Sequence, residues 1–409
     1  MWNKRPAGHS SFFRYGVALM VISSLLFLRY GLPATRIPKS HQHELGYFHR
    51  VITGNIYSNG GMLQSKFGML LRLSRDGGEY YYTHHPTLYT VILYGAFMSM
   101  GSYAFIVLPL VVSIGVIVLT YAVVARAYSV TVGFWAAILL AVHPLFLRYS
   151  LFVNYDPLTL FLAVFANALF VWGILERDRP MWRMLYGTLI VAMLVDWPGY
   201  VLTYAIAGCY LWKVRKLKPD RHVFALGLLP VVMFLLFLGH NVWQTGSLNG
   251  GNLFRTFLGR VSNVGEVDFF GNLRSVRPGY ANYGEFLTFL GTNMTRHIRP
   301  FYILAAIAGL VTLKNWRIRL FSLLQFFVGI AFLLVFNSFA YDHDFSLLQV
   351  LPVFAVLSAL SMHTVIQRLP DRAVGWLQSH GIAREGLYHL CLGVIAVTLI
   401  AQTARSFAM

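Results

Sequence analysis

Long apolar runs alternate with short polar loops along almost the whole chain, and the runs have the length that a lipid bilayer demands. Crossing a hydrocarbon core as helix takes roughly 17–25 apolar residues. Runs of that order fall near 15–31, 103–125, 130–148, 155–175, 222–240, 299–313, 318–337, 345–363 and 387–403. Residues 182–214 hold enough apolar sequence for two spans joined at "DWPGY", whereas 86–100 is too short for its length alone to decide whether it crosses. The pattern predicts an all-α polytopic membrane protein with about eleven transmembrane helices, read as one domain over residues 1–409. Two polar stretches, 32–85 and 241–299, are too long to be tight turns, and loops of that length are uncommon unless functional or disordered. The first has an amphipathic middle, "GMLQSKFGMLLRLSRDGG", suited to an interfacial helix lying on a membrane surface.

Composition agrees with this class. Hydrophobic residues make up 57% of the 409 and charged ones 12%, against roughly 25% charged in a soluble domain, and the mean hydropathy is +0.60. The formal charge of +18 comes from basic residues that flank apolar runs. They form no stripe on a soluble face, which argues against nucleic acid and for anionic lipid or a phosphate-bearing lipid substrate. Cys209 and Cys391 both lie inside apolar runs, where a thiol acts as a small hydrophobe and suggests neither a disulfide framework nor a metal site.

Basic loops also give an orientation. Lys4, Arg5 and Arg14 place the N-terminus in the cytoplasm, with the first run as an uncleaved signal anchor, and "ERDRPMWR", "KVRKLKPDR", "KNWRIR" and residues 368–384 read as cytoplasmic. All of these fall on one side only if 86–100 stays a partial helix on the outer side, which also puts the C-terminus outside. Of the 15 acids, Glu176, Asp178, Asp220, Asp371 and Glu385 are then cytoplasmic, and the others lie at or beyond the outer face with both long loops.

Several outer positions have the chemistry of a site. "SHQHELGYFHR" carries His41, His43, Glu44 and His49; His84 and His85 precede the partial helix; Asp156 and Asp196 sit at helix ends; and "YDHDF" supplies His343 and Asp344. Ionisable groups at membrane depth are costly unless paired or hydrated, so they suggest function. Each alone also has a structural reading: Asp156 and Asp344 as N-caps, Asp196 as a turn former, a single interfacial His as packing. "HQHE" is a poor zinc pattern, because His41 and His43 point apart on a helix and no third ligand follows. The functional reading rests on all of them mapping to one side of the membrane.

In order and spacing these residues resemble the GT-C class of polytopic glycosyltransferases, in particular the bacterial relatives of protein O-mannosyltransferases and lipid A aminoarabinose transferases. "HELGYF", His43 to Phe48, looks like the family's Asp-Glu motif followed by an aromatic. "HHPTL", His84 to Leu88, is similar to its "HPPL" element with Thr87 in place of the second proline. Asp156 in "NYDPLTLF" matches an Asp of the second outer loop, and "HDFSLLQVLP", His343 to Pro352, looks like the late "HDY" followed by an apolar run and proline.

The resemblance implies transfer of a hexose or pentose from a polyprenyl-phosphate-linked donor to a glycolipid, polysaccharide or protein acceptor. It places the reaction on the outer face of a bacterial inner membrane. The residues call for no cofactor, and their acid and His density leaves room for a divalent ion without indicating one. The chemistry requires a general base for the acceptor hydroxyl and cations for the leaving phosphate. The family's base is the Asp of its Asp-Glu pair, and here that slot holds His43. Glu44 takes the role, or His43 does with an ordinary pKa of about 6.5, or the site is silent. The favoured assignment has Glu44 as base, His43 as its partner and Asp156 as a second carboxylate. Arg148, Arg296 and Arg299 are the candidates for the donor phosphate, and His84, His85, Asp196, His343 and Asp344 line the cavity. The competing readings are a catalytically inactive GT-C-like scaffold and a lipid or solute transporter, the latter disfavoured by the lack of charges at span centres.

Overall fold

The computed structural model describes residues 9–31, 41–72, 79–83, 85–175, 181–247, 282–336 and 344–408, with the backbone alone at 9–11, 30–31, 41–48, 71–72, 79–80, 344–345, 374 and 403–408. Its helices, in chain order, are α1 His9–Leu26, α2 His41–Ser58, α3 Leu88–Met100, α4 Ala104–Ala127, α5 Val130–Ala141 and α6 Pro144–Tyr149. They continue as α7 Asp156–Ala168, α8 Trp182–Val195, α9 Pro198–Lys213, α10 Arg221–Thr245 and α11 Tyr283–Asn293. The last are α12 Pro300–Thr312, α13 Trp316–Val335, α14 Leu351–Gln367, α15 Asp371–Ser379 and α16 Arg384–Ala408. Seven helical stretches among the described residues are long and apolar enough to cross a membrane, and α5, α8 and α12 are shorter apolar helices.

Local sequence explains where these helices start. Proline opens or immediately follows the opening of α6, α7, α9, α12 and α14, where its missing N–H removes no intrahelical bond. Side-chain oxygens cap others: Ser129 accepts from the Val132 N–H at 3.2 Å, Asp220 from His222 and Val223 at 3.0 Å each, and Asn315 from Arg317 at 3.1 Å. As the sequence predicts, residues 182–214 form two helices, α8 and α9; within 86–100 lies the 13-residue α3, which continues through a 3₁₀ turn into α4 as one apolar helical stretch, Leu88–Ala127.

Two spans form the interior of the bundle. The α7 span and the one ending in α14 are each 78% buried over their most apolar window, while α10 and α16 are 22% buried and face outward. Membrane interiors give no hydrophobic reason for helices to associate, so close packing and interhelical hydrogen bonds take over. A polar ladder does this here. Asn167 Nδ2 donates to Gln325 Oε1 at 2.8 Å, Gln325 Nε2 to the Gln349 carbonyl at 2.9 Å, and Gln349 Nε2 to the Asp156 carbonyl at 3.4 Å. The ladder ties α7, α13 and the 3₁₀ turn Asp344–Val350 together and ends at the first residue of α7.

The amphipathic stretch 61–78 differs from the interfacial helix expected of it. Its described part is a series of turns leading into β1, Leu70–Arg72, which pairs antiparallel with β2, Glu79–Tyr81. Lys66 and Phe67 both have positive φ (49° and 51°). At Gly68 a Cβ would come within 2.6 Å of the Tyr81 ring. The Lys66 ammonium donates to the carbonyls of Trp243 and Gln244 at 3.2 and 3.1 Å, and His240 Nε2 donates to the Lys66 carbonyl at 3.0 Å. The first loop is thereby locked onto the C-terminal end of α10, where a cation suits the helix dipole. Helical periodicity in 61–78 loses to these tertiary bonds.

Candidate functional site

Four separate segments deliver polar side chains to one end of the bundle. His49 comes from α2, and His85 from the stretch entering α3. Asn154, Tyr155 and Asp156 come from the turn entering α7, and Asp196 from the break between α8 and α9. All six are under 5% exposed, so their polarity has to be met within the protein.

His85 is the centre of the first half. Its Nδ1 lies 2.7 Å from Asp196 Oδ1 and its Nε2 lies 3.0 Å from the Tyr155 hydroxyl. With the carboxylate as acceptor, Nδ1 carries the proton and Nε2 accepts from Tyr155. The Tyr155 ring also stacks on the imidazole, centroids 4.5 Å apart, and Tyr82 lies against His85 at 5.9 Å. Local geometry makes this pairing available. Asp196 takes an extended conformation between two helices, φ −166° and ψ 167°, and the Asn241 amide holds the Thr83 carbonyl, two residues before His85, at 3.2 Å.

Asn154 organises the second half. Its Nδ2 donates to Asp156 Oδ2 at 2.6 Å, while its Oδ1 accepts from the Tyr155 N–H at 2.8 Å and from His49 Nε2 at 3.2 Å. The Asp156 carboxylate is thus engaged by a neighbouring amide, and the helix shows no side-chain cap. Tyr89, at the start of α3, packs edge-on to His49 at 5.1 Å. It is itself buried, with no hydrogen-bond partner for its hydroxyl among the described residues. Asp196 lies within electrostatic range of Asp156, so two carboxylates share one buried region.

Burial pulls the His49 imidazole down to about 3; the Asn154 bond opposes this and His85 adds to it. The ring is therefore neutral at physiological pH. Between 6.5 and about 3 the unfolded chain holds a proton here that the folded chain does not. Stability should thus fall as pH is lowered through that window and be independent of this group above it. Thermal unfolding in detergent between pH 4 and 8, compared with His49→Asn, checks this. The variant should show a shallower acid-side slope, and identical slopes would refute the assignment.

The structure brings Asp156, Asp196 and His85 together. Glu44 and His43 lie on α2, five and six residues before His49 and so roughly 8 Å along the helix axis, and their side chains are not described. The same holds for Asp344 on its 3₁₀ turn, while His84 and His343 lie outside the described residues. Of the basic candidates, Arg148 is partly buried on α6, and Arg296 and Arg299 are exposed. Arg299 flanks the α6 entrance, where His143 Nε2 reaches the Ile298 carbonyl at 3.4 Å. Neither Arg296 nor Arg299 takes part in the hydrogen bonds of the cluster described above.

Sequence reasoning missed Asn154 and Tyr155 as partners, and also Arg50. Arg50 follows His49, is partly buried with its guanidinium 5.4 Å over the Phe105 ring, and has a buried Nε with no hydrogen-bond partner among the described residues. Burial lowers its pKa, but an arginine keeps its charge in proteins. Polar residues flanking a depth-placed Asp, and a cation beside a buried His, were the available signals. Among the described residues no group of three or more His, Cys, Asp or Glu could hold a metal ion.

Neither a family model nor a curated protein matches the sequence; solved structures match the fold. ArnT from Cupriavidus metallidurans bound to undecaprenyl phosphate superposes with a TM-score of 0.56 at 14% identity, over 90% of this chain and 62% of that one. The Archaeoglobus fulgidus oligosaccharyltransferase in the apo form gives 0.56 at 15% identity, over 96% of this chain and 56% of that one. The oligosaccharyltransferase AglB of the same organism, in complex with an inhibitory peptide and a dolichol-phosphate, gives 0.54 at 13%, over 96% and 55%. The chain therefore spans between 55% and 62% of the length of these three proteins. At such identities the likeness is one of architecture: the chain has the polytopic all-α fold seen in ArnT and these oligosaccharyltransferases.

Proposed function

We propose that this protein is a membrane glycosyltransferase that moves a sugar from a polyprenyl-phosphate-linked donor to an acceptor hydroxyl at the outer face of a bacterial inner membrane. One observation carries the reading. Segments far apart in sequence converge their His, Asp and Asn side chains at a single end of a GT-C-like bundle. A buried polar assembly of this cost in an apolar protein marks function. The fold match to proteins whose structures hold undecaprenyl phosphate and dolichol-phosphate supports a lipid-phosphate donor.

In this reading the acceptor oxygen attacks the anomeric carbon while the bond from that carbon to the phosphate oxygen breaks. Glu44, partnered by His43, takes the acceptor proton. Asp156 is the second carboxylate, oriented by Asn154. The leaving polyprenyl phosphate departs with the bonding electron pair, passing from a singly charged diester to a doubly charged monoester, and is held by arginine, from Arg148, Arg296 or Arg299, or from Arg50. His84, His85, Asp196, His343 and Asp344 shape the cavity around the sugar. The lipid tail stays in the bilayer, which places the reaction at the membrane surface.

The test is transfer in membranes from a panel of radiolabelled polyprenyl-phosphate sugars. Glu44→Gln should lose on the order of 10²–10⁴ in rate, the usual worth of a general base, and His43→Ala should lose less. No transfer with any donor, or full activity in both variants, would sink the assignment.

A further inference from the structure

A second feature lies between α4 and the α7 span, at the end of that span away from Asp156. On α4, residues Leu119, Ala122, Val123 and Arg126 line a recess of about 190 Å³, and on the α7 span Phe165, Ala168, Leu169 and Trp172 line the facing wall. Both sets follow i, i+3, i+4, i+7 spacing, so each is one face of a helix. Higher up, the two helices touch closely: a Cβ on Gly115 would stand 3.0 Å from the Phe161 ring. Below that point they part. Ala122 and Ala168 are too small to fill the gap, and α7 passes into the wide π-turn Leu169–Ile174.

The recess is apolar except at its rim. Arg126 is exposed and makes no ion pair among the described residues. The Trp172 indole N–H is buried without a hydrogen-bond partner among the described residues. Trp172 is sixteen residues beyond Asp156, about 24 Å along a helix, which is most of a bilayer core of about 30 Å. The recess therefore belongs to the opposite membrane face from the polar cluster. An open apolar groove of this size takes up a hydrocarbon chain in preference to water, and the exposed cation at its rim attracts an anionic headgroup.

We propose that this recess binds an anionic glycerophospholipid, with an acyl chain between α4 and α7 and the phosphate on Arg126. The site is independent of the sugar-transfer chemistry, and charge complementarity selects the occupant.

The full-length protein, equilibrated with equal phosphatidylglycerol and phosphatidylcholine of matched chains, would be examined by native mass spectrometry. Wild type should retain one phosphatidylglycerol with roughly five-fold preference, the worth of one basic residue at a membrane surface. Arg126→Gln should lose the preference and Arg126→Lys should keep it. Ala122→Leu and Ala168→Leu, filling the recess from opposite walls with the charge intact, should each release the lipid. Equal retention of both lipids by wild type, an unchanged preference in Arg126→Gln, or retention in both leucine variants would overturn the proposal. Displacement of phosphatidylglycerol by added undecaprenyl phosphate would also overturn it, assigning the recess to a different lipid.

Discussion

Asp196→Ala is expected to destabilise the protein by about 1–3 kcal/mol, the cost of leaving a buried hydrogen-bond donor without its acceptor. The residue is wholly buried, and its Oδ1 accepts from His85 Nδ1 at 2.7 Å. Alanine would leave that N–H facing apolar surroundings, and the effect would spread, because His85 also receives the Tyr155 hydroxyl. Replacing both partners by apolar residues of similar shape should cost much less than the two single changes added together, since no polar atom is then stranded. Thermal unfolding of Asp196→Ala, His85→Phe and the double variant Asp196→Leu/His85→Phe measures this. A melting temperature in Asp196→Ala equal to wild type would refute the pairing. Sugar transfer by the double variant then separates the two roles of the cluster. If His85 and Asp196 only hold helix ends in place, a folded double variant keeps its activity. If they shape the reacting site, it loses activity while still melting cooperatively.

The architecture was readable in the sequence because membrane helices must satisfy every backbone group internally and must be long enough to cross. Run lengths and positions therefore carry most of the fold, including the break at "DWPGY" and the short α3. Which helices are interior was not readable, since lipid-facing and protein-facing residues are equally apolar. The 78% burial of α7 and the 22% burial of α10 follow from packing alone. The site was half readable. Depth and residue type singled out Asp156, Asp196 and His85, but nothing local indicates that residue 85 bonds residue 196. Their convergence also changes what the individual residues mean. Read singly, Asp156 is a helix cap and Asp196 a turn former. In the fold, Asp156 is held by Asn154, and Asp196, whose carbonyl accepts from the Gly199 N–H in the turn between α8 and α9, also orients an imidazole. The arginine candidates were the weakest inference, because charge alone says nothing of burial. Exposed Arg296 fitted the loop pattern as well as Arg50, yet it is Arg50 that α2 carries beside His49.

Gly199→Ala is expected to be the most disruptive single methyl addition in the region, at about 3 kcal/mol, the upper end of the usual cost of overpacking. A Cβ at this position would stand 2.4 Å from the Ala192 carbonyl carbon, 2.5 Å from the Met193 nitrogen and 2.6 Å from the Ala192 oxygen. These are backbone atoms of α8, so no side-chain rotation relieves the clash and α9 must move away from α8. Asp196 lies in the short break between those two helices, and a shift there would also lengthen its bond to His85. The effect should therefore appear in transfer activity at temperatures where the protein is still folded. Gly208 on the same helix supplies the control, because nothing lies within 4 Å of a Cβ built there. Gly208→Ala should be neutral or stabilising by about 0.5–1 kcal/mol, the intrinsic gain of alanine over glycine in a helix. Equal melting temperatures for the two variants would show that the close approach of α8 and α9 does not constrain the site.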